Sequence, residues 1–378
     1  MSAIGGVASP PGIFASGWVE AYRLYDVGYA IDLERAAALA GADVAGRLAV
    51  GVQASTLHIP VRPLLLNLGP VSLRGATRGA EAQLTARLYD FGVIALRARI
   101  RPPGERVAWG EFVAFARDAG LAIRDADPFD GALRSLTGRL ADAILRARVA
   151  AVNEDYTVYR LTGLWDGDGR WAAPAVLDDG HLGALLLQED VPLSASTMRE
   201  LLPARHSYYP DDLVIPTWDG ALVISPEPGD ETDVEWILEF ANAQLLELRY
   251  YDAVLDAALP RLRDDVARVR RGFRALLSPQ YGRVLGRLYE LFADTTETVE
   301  RVENALRVTQ DVYLARVYAA AMEVFRARGW RAGIDRKLGI IRETYAMLNA
   351  EVQARRNELL EATIVVLIVI EIGLAFVR

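Results

Sequence analysis

Cysteine is absent from the 378-residue sequence, and histidine occurs only three times. The first absence excludes disulfides, thiolate nucleophiles, zinc ribbons and cysteine-ligated iron–sulfur clusters, and with them any reading of the redox compartment. The three histidines, His58, His181 and His206, are far apart in the chain, so a metal site built on them would need tertiary convergence. An excess of positive charge is also missing. Lys and Arg total 42 against 50 Asp and Glu, a formal charge of −8, which argues against wrapping nucleic acid, since that binding is driven by cations neutralising phosphates. No direct nucleic-acid motif is found. No GxxxxGK[ST], GxGxxG, GxSxG or HExxH pattern occurs, which leaves a phosphate cradle, a dinucleotide fold, a nucleophile elbow and a zincin site without support. The amino-terminal MSAIGGVASPPGIF lacks both the cationic start and apolar core of a secretory signal and the Arg-rich pattern of a transit peptide. A cytosolic start with a flexible tail over residues 1–17 is expected, and no catalytic residue, cofactor or metal.

What is present is a globular balance, 52% apolar and 24% charged, in a chain long enough for more than one core. Residues 18–230 read as an α+β domain. WVEAYRLYDVGYAI, RLAVGVQ, LHIPVRPLLL and ARLYDFGVIALRARI are strand-like stretches bounded by Gly, Pro and Asp. IDLERAAALA reads as a helix with Asp32 as its N-cap, and WGEFVAFARDAG as another. DGALRSLTGRLADAILRARVAAV reads as a helix whose apolar positions are Leu133, Leu136, Leu140, Ile144 and Val149. Strands return in DYTVYRLTGLW, DDLVIPTW and ALVISPE, the last two joined by Asp219-Gly220, a dipeptide suited to a two-residue hairpin turn. SPEPGDETD looks like a domain boundary.

Residues 231–358 change character to long helices. The first runs from Val234 to about Phe273 and is expected to bend at Pro260, which removes a backbone donor. Leu285, Leu288, Phe292, Thr295, Val299, Val302, Leu306, Thr309 and Tyr313 then follow steps of three and four, a heptad seam. RARGWRAG, 326–333, interrupts it with two glycines. The pattern resumes as Ile334, Leu338, Ile341, Tyr345, Leu348, Val352 and Leu359, so an antiparallel helical hairpin is expected. Such heptads suit either an intramolecular hairpin or a homo-oligomer.

The longest apolar run, LLEATIVVLIVIEIGLAFVR, occupies 359–378 and carries Glu371 in its middle. Apolar around its full circumference at 364–370, it reads as a single C-terminal transmembrane anchor. Arg355, Arg356 and Arg378 bracket it, keeping the bulk of the chain cytoplasmic and the protein in the inner membrane. Glu371, with Ile364, Leu367 and Ile370 beside it, is then best buried between helices of neighbouring subunits or against the start of the seam helix. A core helix of a bundle, with Glu371 turned to solvent, is the alternative.

The stretch from Trp330 through LGIIRETYAMLNAEVQARRNELLEATIVVLIVIEI, with a Trp leading a helix, an Asn near its middle and Ile-Glu-Ile closing an apolar run, resembles the C-terminus of the "required for meiotic nuclear division" family. FANAQLLELRYYDAVLD, 240–256, is similar to that family's central helix, and LYDFGVIALRARI, 88–100, to one of its strands. Residues 160–230 and the basic stretch 261–287 match nothing in it, as for a divergent bacterial-type member. The resemblance implies no enzymatic activity and, from its mitochondrial member, a protein or ribosome partner held near a membrane.

Three local groupings have less specific readings. Asp166-Gly167-Asp168-Gly169 mimics the start of a calcium loop, but Leu177 stands where the bidentate acid belongs, so a turn is expected. ARHSYYPDD, 204–212, groups His206, Tyr208, Tyr209, Asp211 and Asp212 and reads as a loop entering a strand, with a polar cleft as the alternative. Arg268, Arg270, Arg271 and Arg274 are the densest part of a cationic stretch able to meet an anionic partner, though a solvated helix face is the simpler reading of such a run. The functional expectation is a non-enzymatic, membrane-anchored, oligomeric scaffold or binding protein. The alternatives are a channel-like oligomer of the CorA-type plan, with Glu371 along its path but without the two spans and Gly-Met-Asn motif of that class, and an enzyme of unknown reaction.

Overall fold

Phe14–Asp26 forms one thirteen-residue strand, β1, with buried side chains on both faces, and the amino-terminal part of the chain is organised around it in the computed structural model. The structure describes residues 12–47, 57–58, 61–73, 81–189, 191, 193–202, 205–227, 229, 232–271, 307–308 and 312–377, with isolated positions between 286 and 296. After β1 come β2 (Ala30–Ile31), α1 (Leu33–Ala40), β3 (Val44–Arg47), β4 (Leu57–His58), β5 (Leu64–Ser72), β6 (Glu81–Leu88), β7 (Val93–Ile100) and β8 (Val107–Ala108). Then follow α2 (Trp109–Ala126), α3 (Pro128–Arg139), β9 (Ile144–Leu145), β10 (Asn153–Trp165), α4 (Asp179–Leu186), α5 (Ala195–Leu201), β11 (Leu213–Pro216) and β12 (Gly220–Ile224). The chain closes with α6 (Asp233–Arg271), β13 (Arg307–Val308), α7 (Val312–Val324) and α8 (Ala327–Val377).

A nine-stranded sheet has the order β11-β12-β10-β1-β7-β6-β5-β3, with β8 also paired to β1. Its described pairings are antiparallel except β10 with β12. Side chains alternate across a strand, and the alternation separates two chemistries. Val19, Ala21, Leu84, Ala86, Ile94, Leu96, Tyr159 and Leu161 join a core with Leu33, Phe112, Ala116, Leu133 and Leu182 from the helices α1 to α4. The intervening positions Glu20, Arg87, Arg97 and Arg160 lie on the other face, and three of them pair with carboxylates of α6 or β1 with little or no exposure.

Local chemistry explains several boundaries. Asp32 caps α1, its carboxylate accepting from the Glu34 and Arg35 amides, as the sequence leads one to expect. The helix read from DGALRSLTGRL onward stops at Arg139 instead of continuing to Val149: Ile144 pairs with Ile31 in the β2–β9 ladder, and Val149 is exposed. The β11–β12 hairpin turns one residue earlier than Asp219-Gly220 suggests. Thr217 N–H donates to Gly220 O at 2.7 Å, so Trp218 and Asp219 are the central pair. Gly220 is needed for proximity rather than for a turn, because a Cβ there would stand 2.4 Å from Thr157 O on β10.

The chain divides into two compact units, residues 1–250 with 301–328 and residues 251–300 with 329–378. In the second, Lys337, the only lysine in the sequence, places Nζ 2.7 Å from Oδ1 of both Asp252 and Asp256. Gly333 faces the same helix; its Cβ would lie 3.2 Å from Asp252 Oδ1. Helix α6 runs through Pro260. Of the expected seam, Ile341 and Leu348 are buried, Leu338 and Tyr345 half-buried, and Phe292 is helical and half-buried; Leu288, Val299 and Leu306 lie outside the described residues. The joint between α7 and α8 falls at Phe325-Arg326, where Arg326 takes φ +51°, so Gly329 and Gly333 lie within α8 and not in a turn.

The expectation of a C-terminal transmembrane anchor is overturned. Among the described residues no helix is long and apolar enough to cross a membrane. Carboxylates interrupt the run too often: between Glu361 and Glu371 only 362–370 are free of charge, a helical length of ~14 Å against a hydrocarbon thickness of roughly 30 Å. The single-pass topology and the inner-membrane location fall with the anchor.

Candidate functional site

Two polar features of the first unit carry chemistry. The first is a layer of charge on the sheet face that meets α6. Glu20 on β1 receives Arg97 Nη2 at 2.9 Å and Arg99 Nε at 3.2 Å, both from β7, while the Tyr22 hydroxyl donates to it at 3.2 Å. Glu239 on α6 lies 3.1 Å from Arg87 Nη1 and accepts the Tyr89 hydroxyl at 2.8 Å. Burial, followed by the charge of Glu20, pushes the Tyr22 phenol far above its ordinary pKa; burial and Glu239 do the same to Tyr89. Neither phenol is therefore poised to exchange a proton near neutral pH. These buried pairs link α6 to β6 at Glu239 and Arg87, and removing one partner would leave the other charge uncompensated.

Arg160 connects this layer to the second feature. Its Nε is 3.5 Å from Glu235 at the start of α6, and Nη1 donates to Leu161 O and Ser225 O, each at 2.8 Å. Burial lowers its pKa, opposed by the charges of Glu235 and Glu227. The guanidinium thus ties the end of β12 to the first turn of α6, where Glu235 also accepts the Thr232 amide at 2.7 Å in the manner of a capping box.

Beyond β12 opens a cleft of about 1080 Å³, bounded by Ser225–Glu227, the start of α6, the start of α7, Trp171 and the loop before β11. That loop is the ARHSYYPDD stretch. Asp212 shapes it by accepting the amides of Tyr208 (2.7 Å) and Tyr209 (3.1 Å), and His206 pairs with Val214 through two backbone hydrogen bonds. The Tyr208 ring packs edge-on against Tyr209 at 4.7 Å between centroids and lies 5.5 Å from Tyr313 of α7. Asp211, Asp212, Glu227 and Asp233 also line the cleft, with no cationic side chain among its described lining residues.

The three histidines fall in separate elements: His58 in β4, His181 in the capping box of α4 with Asp178, and His206 beside β11. Among the described residues no group of three or more His, Asp or Glu is placed to hold a metal ion. Asp166 forms a turn, accepting the Asp168 and Arg170 amides at 3.0 and 2.9 Å. Arg268, Arg270 and Arg271 continue the backbone of α6 but their side chains, like Arg274 as a whole, lie outside the described residues. Ile364, Leu367, Ile370 and Glu371 are all exposed on α8. Sequence reasoning found the tyrosine loop but not Trp171 or Tyr313, which join its cleft only through the fold.

Fold and cleft define a mixed α+β protein with a two-faced, largely antiparallel sheet and an open aromatic cleft at the β11 end. The chain belongs to the family described as "Uncharacterized protein MJ0711, N-terminal domain", whose model matches residues 16–231, a span that includes the sheet and the tyrosine loop. It is 26% identical over 253 residues to "Uncharacterized protein MJ0711" of Methanocaldococcus jannaschii, covering 66% of this chain and 72% of that protein. No solved structure matches. These matches correct the resemblance to the "required for meiotic nuclear division" family: neither concerns it. The ribosome partner implied by that resemblance loses its support.

Proposed function

We propose that the protein is a non-catalytic scaffold working as a homo-oligomer, its copies joined through the end of α8 while the α+β unit supplies a binding surface. One observation carries this reading. Eleven large apolar side chains between Leu359 and Leu374 are each 45–65% exposed and point around the whole helix. At roughly 90 Å² apiece they amount to on the order of 1,000 Å², above the largest apolar patch of an ordinary monomer and comparable to the roughly 800 Å² each partner of a stable interface buries. An apolar stripe could be covered by one groove, but an apolar cylinder needs neighbours on all sides, which identical helices from further copies supply. The channel reading required a bilayer-crossing segment and is set aside with it.

Light-scattering mass of the full chain in aqueous buffer tests the proposal. A defined oligomer is expected, reduced to monomer by Ile364→Glu with Leu367→Glu. A full-length chain that stays monomeric at tens of micromolar, or an oligomer indifferent to those substitutions, defeats it.

A further inference from the structure

We propose that the cleft beside β12 is a binding site for a flexible organic cation, an ammonium or guanidinium group on an apolar stem, presented by an extended basic peptide. This goes beyond the scaffold reading and does not depend on it.

Shape and wall chemistry lead to this ligand class. The cleft measures about 1080 Å³, at the upper limit of the 300–1,000 Å³ typical of small-molecule pockets, and it is open rather than enclosed. Its aromatic rings are unusually available: Tyr208 is 63% exposed, Tyr209 47% and Trp171 44%. Exposing that much ring surface is unfavourable unless something covers it. The rings are also held in place. Asp212 fixes the backbone of both loop tyrosines, Tyr313 abuts Tyr208 from α7, and Trp171 packs edge-on against Trp165 at 5.7 Å. A preset arrangement of ring faces loses little entropy when a ligand stacks on it.

Charge then selects among ligands that stack. Asp211, Asp212, Glu227 and Asp233 are the carboxylates lining the cleft; Asp212 is engaged by the loop amides, and the Glu227 charge acts on Arg160 behind the wall. The lining thus carries four carboxylates and no cationic side chain among its described residues, which favours a cation, and aromatic faces also attract one through their quadrupoles. Lys and Arg side chains satisfy both requirements, the stem lying on the ring and the head reaching a carboxylate. Pro210, Pro226, Val214 and Val234 supply apolar wall between these points, suited to the intervening residues of an extended segment.

The test is fluorescence anisotropy on the full chain with a labelled ten-residue peptide alternating Arg with Pro and Ala, an acidic peptide of equal length, and spermidine as competitor. Micromolar binding of the basic peptide alone is expected. Tyr208→Ala with Tyr209→Ala should weaken it at least tenfold, and so should Asp211→Asn with Glu227→Gln. The remote pair Asp125→Asn with Glu200→Gln removes the same charge and should leave affinity within twofold, which separates a local site from the attraction of a chain of net charge −8. These positions are exposed, and circular dichroism of each variant confirms its folding. Displacement of the peptide by micromolar spermidine identifies a free polyamine as the source of the same cation chemistry. Absence of binding by either cation, or equal losses in the local and remote pairs, overturns the proposal.

Discussion

Glu239 Oε2 on α6 lies 3.1 Å from Arg87 Nη1 on β6, and neither side chain is exposed to solvent. A pair this dry is costly to break and cheap to replace, because desolvation has consumed most of its Coulombic gain. Arg87→Met alone should destabilise the first unit by about 3–5 kcal/mol, leaving the Glu239 charge with less compensation. Arg87→Met with Glu239→Leu should recover most of that loss. Urea unfolding of the two single variants and the double variant, assembled as a cycle, checks it; additive losses would mean that the pair is not energetically coupled.

Gly220 should tolerate no side chain. An alanine Cβ at 2.4 Å from Thr157 O would force apart β10 and β12, which pair in parallel at this point. The expected cost of Gly220→Ala is at least the roughly 1–3 kcal/mol of overpacking, read as a lowered Tm. Gly169→Ala, in the exposed turn after β10, provides a contrasting position where an added Cβ meets nothing within 4 Å, although φ +75° leaves some strain there.

Stability should respond to pH in two opposed ways. Burial raises the carboxyl pKa of Asp26 despite Arg148, and that of Glu154 despite Arg249. The native state therefore holds protons that the unfolded chain has released. The contribution of these two groups is complete below the ordinary carboxyl value of about 4 and is lost as pH rises through their folded values. His206 has the reverse sign. Burial and then Arg316 lower its pKa, so its contribution is present above about pH 6.5 and is lost as pH falls through its folded value. Urea midpoints measured from pH 8 to pH 4 should lose the acid-side decline in His206→Gln and the gain toward pH 4 in Asp26→Asn.

Glu371 sits within the apolar end of α8, so the proposed assembly must accommodate a carboxylate beside apolar neighbours. Glu371→Leu should lower the concentration for half-assembly at least severalfold, since burying a charge opposes association. Sedimentation equilibrium of the full chain measures this; an unchanged midpoint would place Glu371 outside the interface.

Lys337 offers a check on the second unit. Burial works against its ammonium, but hydrogen bonds with Asp252 and Asp256 raise its pKa overall. Its stabilising contribution should be present up to the ordinary lysine value near 10.4 and fade as pH rises through the folded value. Lys337→Met should remove that alkaline loss in thermal unfolding followed between pH 9 and pH 12.

The sequence by itself determined elements whose causes are local. Asp32 caps α1 because its carboxylate reaches amides two and three residues ahead. WVEAYRLY marks a strand, and SYYPDD marks a loop entering one; that both faces of the strand are buried is a finding of the structure. The same local signals misplaced the end of α3 and the joint before α8, where the β2–β9 pairing and the positive φ of Arg326 decide. The apolar end of α8 misled for a related reason: composition showed a hydrophobic segment, but where carboxylates fall along the helix decides how far it can reach. Only the tertiary structure could decide what the buried charges meet. Glu20 and Arg97 are 77 residues apart, and Tyr89 and Glu239 are 150 apart. Trp171 and Tyr313 come to the cleft of the tyrosine loop from other stretches of the chain. Periodicity tells which face of a strand a side chain occupies, but a partner is chosen by strand order and helix seating, and those follow from packing of the whole unit.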